Sequence, residues 1–343
     1  MNVTFHPLDL KLKYTFQIAR ETRDVQNNVI VLLQDEDGAT GIGEASPTSF
    51  FGEDVQSVTA ALQQSAGLLK GANPLHLEDV TFRLKRHFPG DATARAAMDM
   101  ALHDLAGKKL KSPLYRLLGL SRLEPKTTSF TIGIDTLEIM RKKVEEAKDF
   151  PILKIKVGMK NDVEILRELR KITGAKFRVD ANTGWTVDEA IGKINVMEGL
   201  GVELVEQPFP VGSYESLKKL RQKIRIPIFA DEDVKTSRDI PALSGAVDGI
   251  NIKLMKCGGI REAVRMIHTA RAHGLRVMLG CNIESSLSIT AAAHLSPMAD
   301  YVDLDGHLLV TNDPYIGVMV DKGQLILPEG DGLGVTQRSG IST

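Results

Sequence analysis

Five ionisable residues recur along the second half of the sequence at intervals of similar length. Lys156, Asp180, Glu206, Asp231 and Lys253 follow one another after 24, 26, 25 and 22 residues. Such an interval accommodates one strand, one helix and two loops, so each residue is expected at an equivalent place in consecutive βα units. A single charged strand end is most simply explained by exposure to solvent, but five in phase indicate a common site.

The three acidic members of this series predict a site for a hard metal ion. Carboxylate oxygens from Asp180, Glu206 and Asp231 are ligands that Mg²⁺ prefers, and no thiolate or imidazole accompanies them to select zinc or copper. Mg²⁺ favours six oxygen ligands, so three carboxylates leave positions for substrate oxygens. We therefore predict Mg²⁺ as the cofactor.

The two lysines flank the carboxylates along the chain. On a ring of eight strands, Lys156 on the second strand and Lys253 on the sixth would face each other across the centre. One amine could remove an α-proton while the other delivers a proton to the opposite face, which is a 1,1-proton transfer through a metal-stabilised enolate. A general-base lysine needs a lowered pKa, and the charge of Lys154, on the same strand face as Lys156, could supply that effect. Lys154 is therefore the third predicted catalytic residue.

The strands and helices that must position these residues are indicated by the apolar pattern. After Pro125, eight short apolar runs alternate with amphipathic stretches, which predicts parallel strands joined by helices. No glycine-rich phosphate loop follows the first run, so an α/β barrel is favoured over a doubly wound sheet, with its active site at the C-terminal strand ends. The predicted strands are residues 130–134, 153–157, 177–180, 203–206, 228–231, 249–254, 277–280 and 301–305.

The N-terminal third of the sequence has a different pattern. Extended segments between residues 4 and 46, with a turn signal at Asp37-Gly38, precede helical periodicity from about residue 55 to 118. Strands followed by helices predict a separate α+β unit.

The predicted strand ends carry a series of short motifs. They read Lys154-Ile-Lys156, Asp180-Ala-Asn182, Glu206-Gln-Pro208, Asp231-Glu232 and Asn251-Ile-Lys253, and a helical stretch from residue 94 to 104 reads ARAAMDMALHD. In identity, order and spacing the series resembles the muconate-lactonizing subgroup of the enolase superfamily over nearly the whole chain. The resemblance implies a modified (β/α)7β TIM barrel at residues 125–315 with an α+β capping domain at residues 1–124. A C-terminal segment, residues 316–343, is expected to return to the capping domain by way of residues 317–328.

Four polar residues near the predicted barrel mouth are expected to orient the metal ligands and lysines through hydrogen bonds. They are Asn182, Glu232, Glu284 and Ser285.

The eighth predicted strand carries a second acidic pair. Asp303 and Asp305 share a face at the barrel mouth, where they could hold a cation. The family's dipeptide epimerases are similar in having such a pair for the α-ammonium group of an L-Xaa-L-Xaa dipeptide. The resemblance thus implies an isomerase of the L-Ala-D/L-Glu epimerase kind, which inverts the α-carbon of the C-terminal residue. Two alternatives stay open: a cycloisomerase or o-succinylbenzoate synthase-type enzyme, which needs no such site, and acidic side chains that are simply solvated.

Two loops of the capping domain, at residues 18–25 and 47–54, are implied to select the substrate. Glu21 and Phe51 are the expected substrate contacts, with Arg20 and Phe50 beside them. Glu21 would disfavour an acidic second residue of the dipeptide and admit a neutral or cationic one, while the two phenylalanines offer apolar contact.

The overall composition argues against several classes of function. Forty-three basic and forty-four acidic residues leave a net charge of -1, so no general attraction to nucleic acid or an anionic membrane is encoded. The first residues lack the pattern of a signal peptide, which predicts a cytoplasmic protein. The expected partners are a small-molecule dipeptide and, as an open alternative, further copies of the chain. A catalytically inactive barrel is a second alternative, which the intact Lys156 and Lys253 argue against.

Overall fold

The computed structural model describes residues 1–121 and 126–339. Its N-terminal part contains an antiparallel sheet in the order β1-β2-β3, whose β2–β3 turn lies at the predicted Asp37-Gly38 pair. Gly38 has a φ of 84°, which residues with a side chain rarely adopt. The strands are β1 Asn2–Ile18, β2 Glu21–Gln34 and β3 Thr40–Ala45, and the helices are α1 Val55–Leu69, α2 Leu77–His87, α3 Ala92–Lys109 and α4 Leu114–Leu117.

Helix α3 packs directly against the backbone of β3. A Cβ atom at Gly41 would lie 2.0 Å from the carbonyl oxygen of Ala101, and one at Gly43 would lie 2.0 Å from that of Ala97. Glycine at both positions therefore permits an approach that no other residue allows. The helix is buried from Thr93 to Gly107 and forms the centre of the capping core.

Eight of the described strands form one parallel sheet whose order follows the chain. They are β4 Phe130–Ile132, β5 Ile152–Lys156, β6 Lys176–Asp180, β7 Val202–Glu206, β8 Ile228–Ala230, β9 Gly249–Ile252, β10 Arg276–Gly280 and β11 Tyr301–Asp303. The helices between them are α5 Leu137–Glu146, α6 Asp162–Arg170, α7 Val187–Met197, α8 Tyr214–Arg221, α9 Ile240–Leu243, α10 Leu254–Cys257, α11 Ile260–Ala272 and α12 Ser286–Ala293. A bridge between Thr128 and Val302 joins β11 to the residues before β4 and closes the barrel. The predicted fold class is confirmed, and each predicted run overlaps one strand.

Strand alternation decides which side chains enter the barrel. Ile155 on β5 and Val179 on β6 are fully buried in the same apolar cluster as Leu166 of α6, on the outer side of the sheet. The intervening residues therefore point inward, and Lys154 and Lys156 lie on that inner face.

After β11 the described chain forms a short 3₁₀ helix and four short strands where an eighth outer helix would otherwise follow. These strands are β12 Tyr315–Ile316, β13 Met319–Asp321, β14 Gln324–Ile326 and β15 Thr336–Gln337, after the 3₁₀ helix Gly306–Leu309. Gln324 pairs with Thr127 at the base of the barrel. Two hydrogen bonds reach the capping helices from residues after 328: Leu333 N donates to Asp104 over 2.9 Å, and Gly332 O accepts from α4.

The predicted domain boundary between residues 124 and 125, and residues 340–343, lie outside the described residues. None of the helices in the described part of the chain has the length and apolar character needed to cross a membrane.

Candidate active site

The barrel brings the five predicted charged residues to one level. Lys156 at the end of β5 is in register with Asp180 on β6, and Asp180 is in register with Glu206 on β7. Asp231 directly follows β8 and Lys253 directly follows β9. Because the carboxyl ends of parallel strands meet at one rim, all five side chains share the barrel mouth.

The three acidic residues form a compact buried cluster. One oxygen from each of Asp180, Glu206 and Asp231 lies within 4.8 Å of the others. Buried carboxylates at this spacing repel one another unless cations neutralise them. Glu206 Oε1 accepts a hydrogen bond from Asn251 Nδ2 over 2.8 Å, whereas its Oε2 has an ion-pair contact with Lys154 Nζ at 2.8 Å and no contact of hydrogen-bond geometry among the described residues. Hard oxygen donors with unused acceptor capacity are what Mg²⁺ requires, so this cluster fits the predicted ion.

Each predicted proton-transfer lysine contacts an outer member of the cluster. Lys156 Nζ lies 2.7 Å from Asp180 Oδ2, and Lys253 Nζ lies 2.9 Å from Asp231 Oδ2. Their positions on the ring, at β5 and just after β9, are separated by three strands in either direction, so they enter the mouth from opposite sides.

Lys154 lies beneath the cluster and contacts several carboxylates at once. Its Nζ is 2.7 Å from Asp303 Oδ2, 2.8 Å from Glu206 Oε2 and 3.2 Å from Asp180 Oδ2. Burial by itself lowers the pKa of Lys154, but the attraction of Asp303, Glu206 and Asp180 outweighs it and raises that pKa well above its ordinary value. The three carboxylates therefore favour the charged form of Lys154 at the barrel centre.

The carboxylates differ in how well their charges are compensated. Burial and the charge of Asp180 raise the pKa of Glu206 to about 7. Burial also disfavours the charged form of Asp180 and Asp231, but nearby lysines lower the pKa of both below the ordinary range. Burial opposes charge on Lys253 too, yet the proximity of Asp231 raises the pKa of Lys253. Of the three clustered carboxylates, the central Glu206 is thus the one with the least charge compensation.

Asp303 and Asp305 both line the cavity above the cluster, but they have different partners. Asp303 accepts hydrogen bonds from Lys154 Nζ over 2.7 Å and from Ser129 Oγ over 2.6 Å. Asp305 Oδ2 accepts one from the backbone N–H of Thr131 over 2.5 Å. Among the described residues no lysine or arginine forms an ion pair with Asp305, and burial together with Asp303 raises the pKa of Asp305 to about 7. Asp305 is thus the acidic group best placed to receive another cation.

A cavity of about 90 Å³, called the reaction cavity below, lies over these side chains and is roofed by the capping domain. Arg20 crosses from β1 and β2 to the barrel, where its Nη1 lies 2.6 Å from Glu232 Oε1 and 3.3 Å from Asn182 O. Glu21 also lines the cavity, but its carboxylate is paired with Arg23. The capping residues in the lining are Phe16, Ile18, Arg20, Glu21, Arg23, Pro47, Thr48 and Phe51.

The two predicted phenylalanine contacts occupy different positions. Phe51 lines the reaction cavity, and Lys235 Nζ lies 4.3 Å from the centre of its ring. Phe50 is absent from the lining and instead contacts Arg20, whose guanidinium carbon is 4.1 Å from its ring centre. The structure thus places Phe51 at the reaction cavity and Phe50 against Arg20.

Of the four polar residues expected to orient the site, Asn182 and Glu232 lie at the metal ligands, whereas Ser285 and Glu284 have other partners. Asn182 N donates to Asp180 Oδ1 over 2.9 Å, and its Nδ2 donates to Glu232 Oε1 over 3.2 Å. Ser285, by contrast, donates from its backbone N–H and hydroxyl to Glu44 of β3. Ser285 thus connects the capping sheet to α12 and contacts no metal ligand. Glu284 accepts from the backbone N–H of Asn282 over 2.6 Å.

Lys256 is the functional-site residue that the sequence patterns missed. Its Nζ contacts Asp231 Oδ1 and donates to Asn251 O over 3.0 Å, on the side of Asp231 away from Lys253. The available signal was its spacing of three residues from Lys253, which is one helical turn and places both amines near one carboxylate.

Comparison with known proteins identifies the class of protein. Residues 2–119 match the family model of the mandelate racemase/muconate lactonizing enzyme N-terminal domain, and residues 138–340 match the enolase C-terminal domain-like model. The chain therefore belongs to the mandelate racemase/muconate lactonizing enzyme family of the enolase superfamily, and the resemblance found in the motifs is confirmed.

The relatives include several enzymes of one kind. An L-Ala-D/L-Glu epimerase of Bacteroides thetaiotaomicron is 42% identical over 98% of this chain and 88% of its own length. The crystal structure of a dipeptide epimerase from Cytophaga hutchinsonii, complexed with Mg and D-Ala-L-Val, has a TM-score of 0.93 at 32% identity and covers 99% of this chain and 97% of its own. The crystal structure of a dipeptide epimerase from Enterococcus faecalis, complexed with Mg and L-Leu-L-Tyr, has a TM-score of 0.93 at 34% identity. It covers 98% of this chain and 99% of its own.

Proposed function

We propose that this protein is a Mg²⁺-dependent dipeptide epimerase that inverts the α-carbon of the C-terminal residue of an L-Xaa-L-Xaa dipeptide. The observation that carries the proposal is the arrangement of three buried carboxylates between two lysines on opposite sides of the barrel mouth. The dipeptide epimerases among its relatives support the same reaction.

The carboxylates of Asp180, Glu206 and Asp231 would hold the ion. When bound, Mg²⁺ supplies positive charge that stabilises the negative charge developing on the substrate carboxylate during proton removal. Asn182 keeps Asp180 oriented through its backbone N–H, and Lys154 adds a fixed positive charge beside Glu206.

Lys156 and Lys253 would be the two proton carriers. Their opposite directions of approach mean that one Nζ removes the α-proton from one face of the substrate while the other donates a proton to the opposite face. This geometry suits inversion at a single carbon, because removal and return on the same face would leave the configuration unchanged.

Asp303 and Asp305 would bind the α-ammonium group of the dipeptide. Asp305 supports this role because it lines the reaction cavity without a cationic partner among the described residues. A cycloisomerase or o-succinylbenzoate synthase-type substrate carries no ammonium group, and a buried carboxylate without a partner cation would be costly in such an enzyme.

The side chain of the second residue would lie against the capping loops. Arg20 is paired with Glu232 and Arg23 with Glu21, so neither loop arginine is left unpaired to receive a distal carboxylate. Phe51 offers apolar surface on the same wall. This pairing supports a preference for a neutral second residue over an acidic one.

The test is to incubate the enzyme with a panel of Ala-Xaa dipeptides in D₂O, with Mg²⁺ or with a chelator. We expect Mg²⁺-dependent inversion with deuterium at the α-carbon of the second residue, and neutral residues preferred over glutamate. Absence of inversion and exchange across the panel would refute the proposed reaction. Inversion with Ala-Glu ranked first would refute only the side-chain preference.

A further inference from the structure

A second cavity adjoins the reaction cavity on the side of Asp305. It has a volume of about 310 Å³ and is called the side chamber below. Phe16, Thr131 and Leu309 line both cavities, so these three residues form the border between them. The side chamber therefore lies next to the reaction cavity, near Asp305.

The side chamber exists because β1 leaves its regular pairing at this point. The β1–β2 register shifts between Lys11 and Phe16, and residues 12–15 form part of the chamber wall. The barrel has no eighth outer helix among the described residues that would fill the space, so the irregular part of β1 covers it together with α5.

The chamber presents mainly apolar surface. Several of its polar side chains have partners: Tyr14 donates its hydroxyl hydrogen to Glu146 over 2.6 Å, Thr15 donates to Asp24 over 2.6 Å, and Lys143 pairs with Asp135 at 3.0 Å. The apolar part of the wall suits a hydrocarbon group. The apolar lining residues are Leu12, Phe16, Phe130, Phe150, Leu308, Leu309 and Val320.

The position of the chamber connects it to one part of a dipeptide. Thr131, on the border, is the residue whose backbone N–H donates to Asp305. In a dipeptide the α-ammonium group and the N-terminal side chain are bonded to the same carbon. A substrate whose ammonium group lies against Asp305 therefore begins its N-terminal side chain beside the border with the side chamber.

The sizes of the two cavities agree with this placement. The reaction cavity has a volume of about 90 Å³ and the side chamber one of about 310 Å³, so most of the open space of the two cavities lies in the side chamber. A large side chain at the ammonium-binding end would therefore find room in the side chamber.

We propose that the side chamber binds the N-terminal side chain of the dipeptide and gives the enzyme a preference for a large apolar residue at that position. This inference rests on the proposed epimerase function and adds the class of N-terminal residue. Apolar contact of this kind changes kcat/KM by about 10- to 200-fold for each methylene-sized group gained or lost.

The test compares inversion of Leu-Ala with that of Ala-Ala in the wild-type enzyme and in variants at the far end of the chamber. Val320 lines the chamber but not the reaction cavity, so Val320→Phe reduces the space without touching the reacting groups. Met319, its neighbour on β13, is 61% exposed and absent from both linings, so Met319→Phe is the matched control. Val320→Ala enlarges the same space.

We expect the wild-type enzyme to favour Leu-Ala over Ala-Ala in kcat/KM by at least about tenfold. Val320→Phe should abolish this preference while sparing Ala-Ala, Met319→Phe should retain it, and Val320→Ala should improve Phe-Ala relative to Leu-Ala. Equal kcat/KM values for Leu-Ala and Ala-Ala in the wild type, or an unchanged ratio in folded Val320→Phe and Val320→Ala, would overturn the inference while leaving the epimerase function standing. Failure to invert any dipeptide would overturn both.

Discussion

Replacing Lys253 by methionine should separate proton exchange from inversion. If Lys253 serves one face of the substrate and Lys156 the other, the variant can still remove and return a proton on the face of Lys156. It should therefore exchange the α-proton of one diastereomer with solvent without converting it into the other. Loss of one general acid–base group costs about 10²- to 10⁴-fold in rate, so inversion should fall by that factor, or about 3–5 kcal/mol in activation free energy.

The structure indicates that this variant keeps its fold and its carboxylate cluster. Asp231 retains Lys256 when Lys253 is removed, and in the reciprocal variant, Lys156→Met, Asp180 retains Lys154 at 3.2 Å. Because neither buried carboxylate is left without a cation, we expect each substitution to lower the free energy of unfolding by only about 1–3 kcal/mol.

The assay follows deuterium incorporation by mass spectrometry and configuration by chiral chromatography, starting separately from each diastereomer in D₂O. The two variants should exchange opposite diastereomers, and Mg²⁺ binding measured by calorimetry should persist in both. Retention of full inversion by either variant, or exchange of the same diastereomer by both, would refute the two-base arrangement.

Two other predictions concern stability. Gly43→Ala should lower the thermal midpoint, with a cost of about 1–3 kcal/mol or more, because its Cβ would lie 2.0 Å from Ala97 O. Gly67→Ala in α1 is the control, because its Cβ has open space around it and should stabilise the protein by about 0.4–1 kcal/mol. Equal thermal midpoints for the two variants would contradict the role of close packing at Gly43. Burial raises the pKa of Glu44 from 4.5 to about 7, so ionisation of Glu44 should remove about 3 kcal/mol of stability as the pH rises from about 4.5 to 7. Denaturant titrations at several pH values should show this loss in the wild type and not in Glu44→Gln.

The regular parts of the site could be predicted because strand period determines them. Lys156, Asp180 and Glu206 lie at equivalent places in successive βα units, and the ring brings equivalent places together whatever the helices between them contain. The sequence period thus carries three-dimensional information for these residues. Spacing also located Asp305 at the mouth.

Other contacts depend on side-chain direction at irregular backbone, which the strand period does not determine. Lys256 contacts Asp231 because α10 makes a single turn directly after Lys253, a local feature that no repeat in the sequence announces. The pairing of Glu21 with Arg23 changes the electrostatic character of the capping loop, yet the sequence alone gives only two charges whose separation is unknown. Surface loops lack a period, so their partners follow from packing alone.

The charge balance of the site connects the proposed roles of the two ends of the substrate. The ion-paired cluster contains four lysines and four carboxylates, which cancel formally; they are Lys154, Lys156, Lys253 and Lys256 with Asp180, Glu206, Asp231 and Asp303. A divalent cation held by three of these carboxylates would leave an excess of two positive charges in a buried space, which is unfavourable. Ionisation of Asp305 and loss of a proton from one lysine would together remove that excess. These are the two changes that the reaction requires, because an ionised Asp305 can bind the ammonium group and a neutral lysine can accept the α-proton. Metal binding, ammonium recognition and base activation are therefore expected to be coupled through electrostatics.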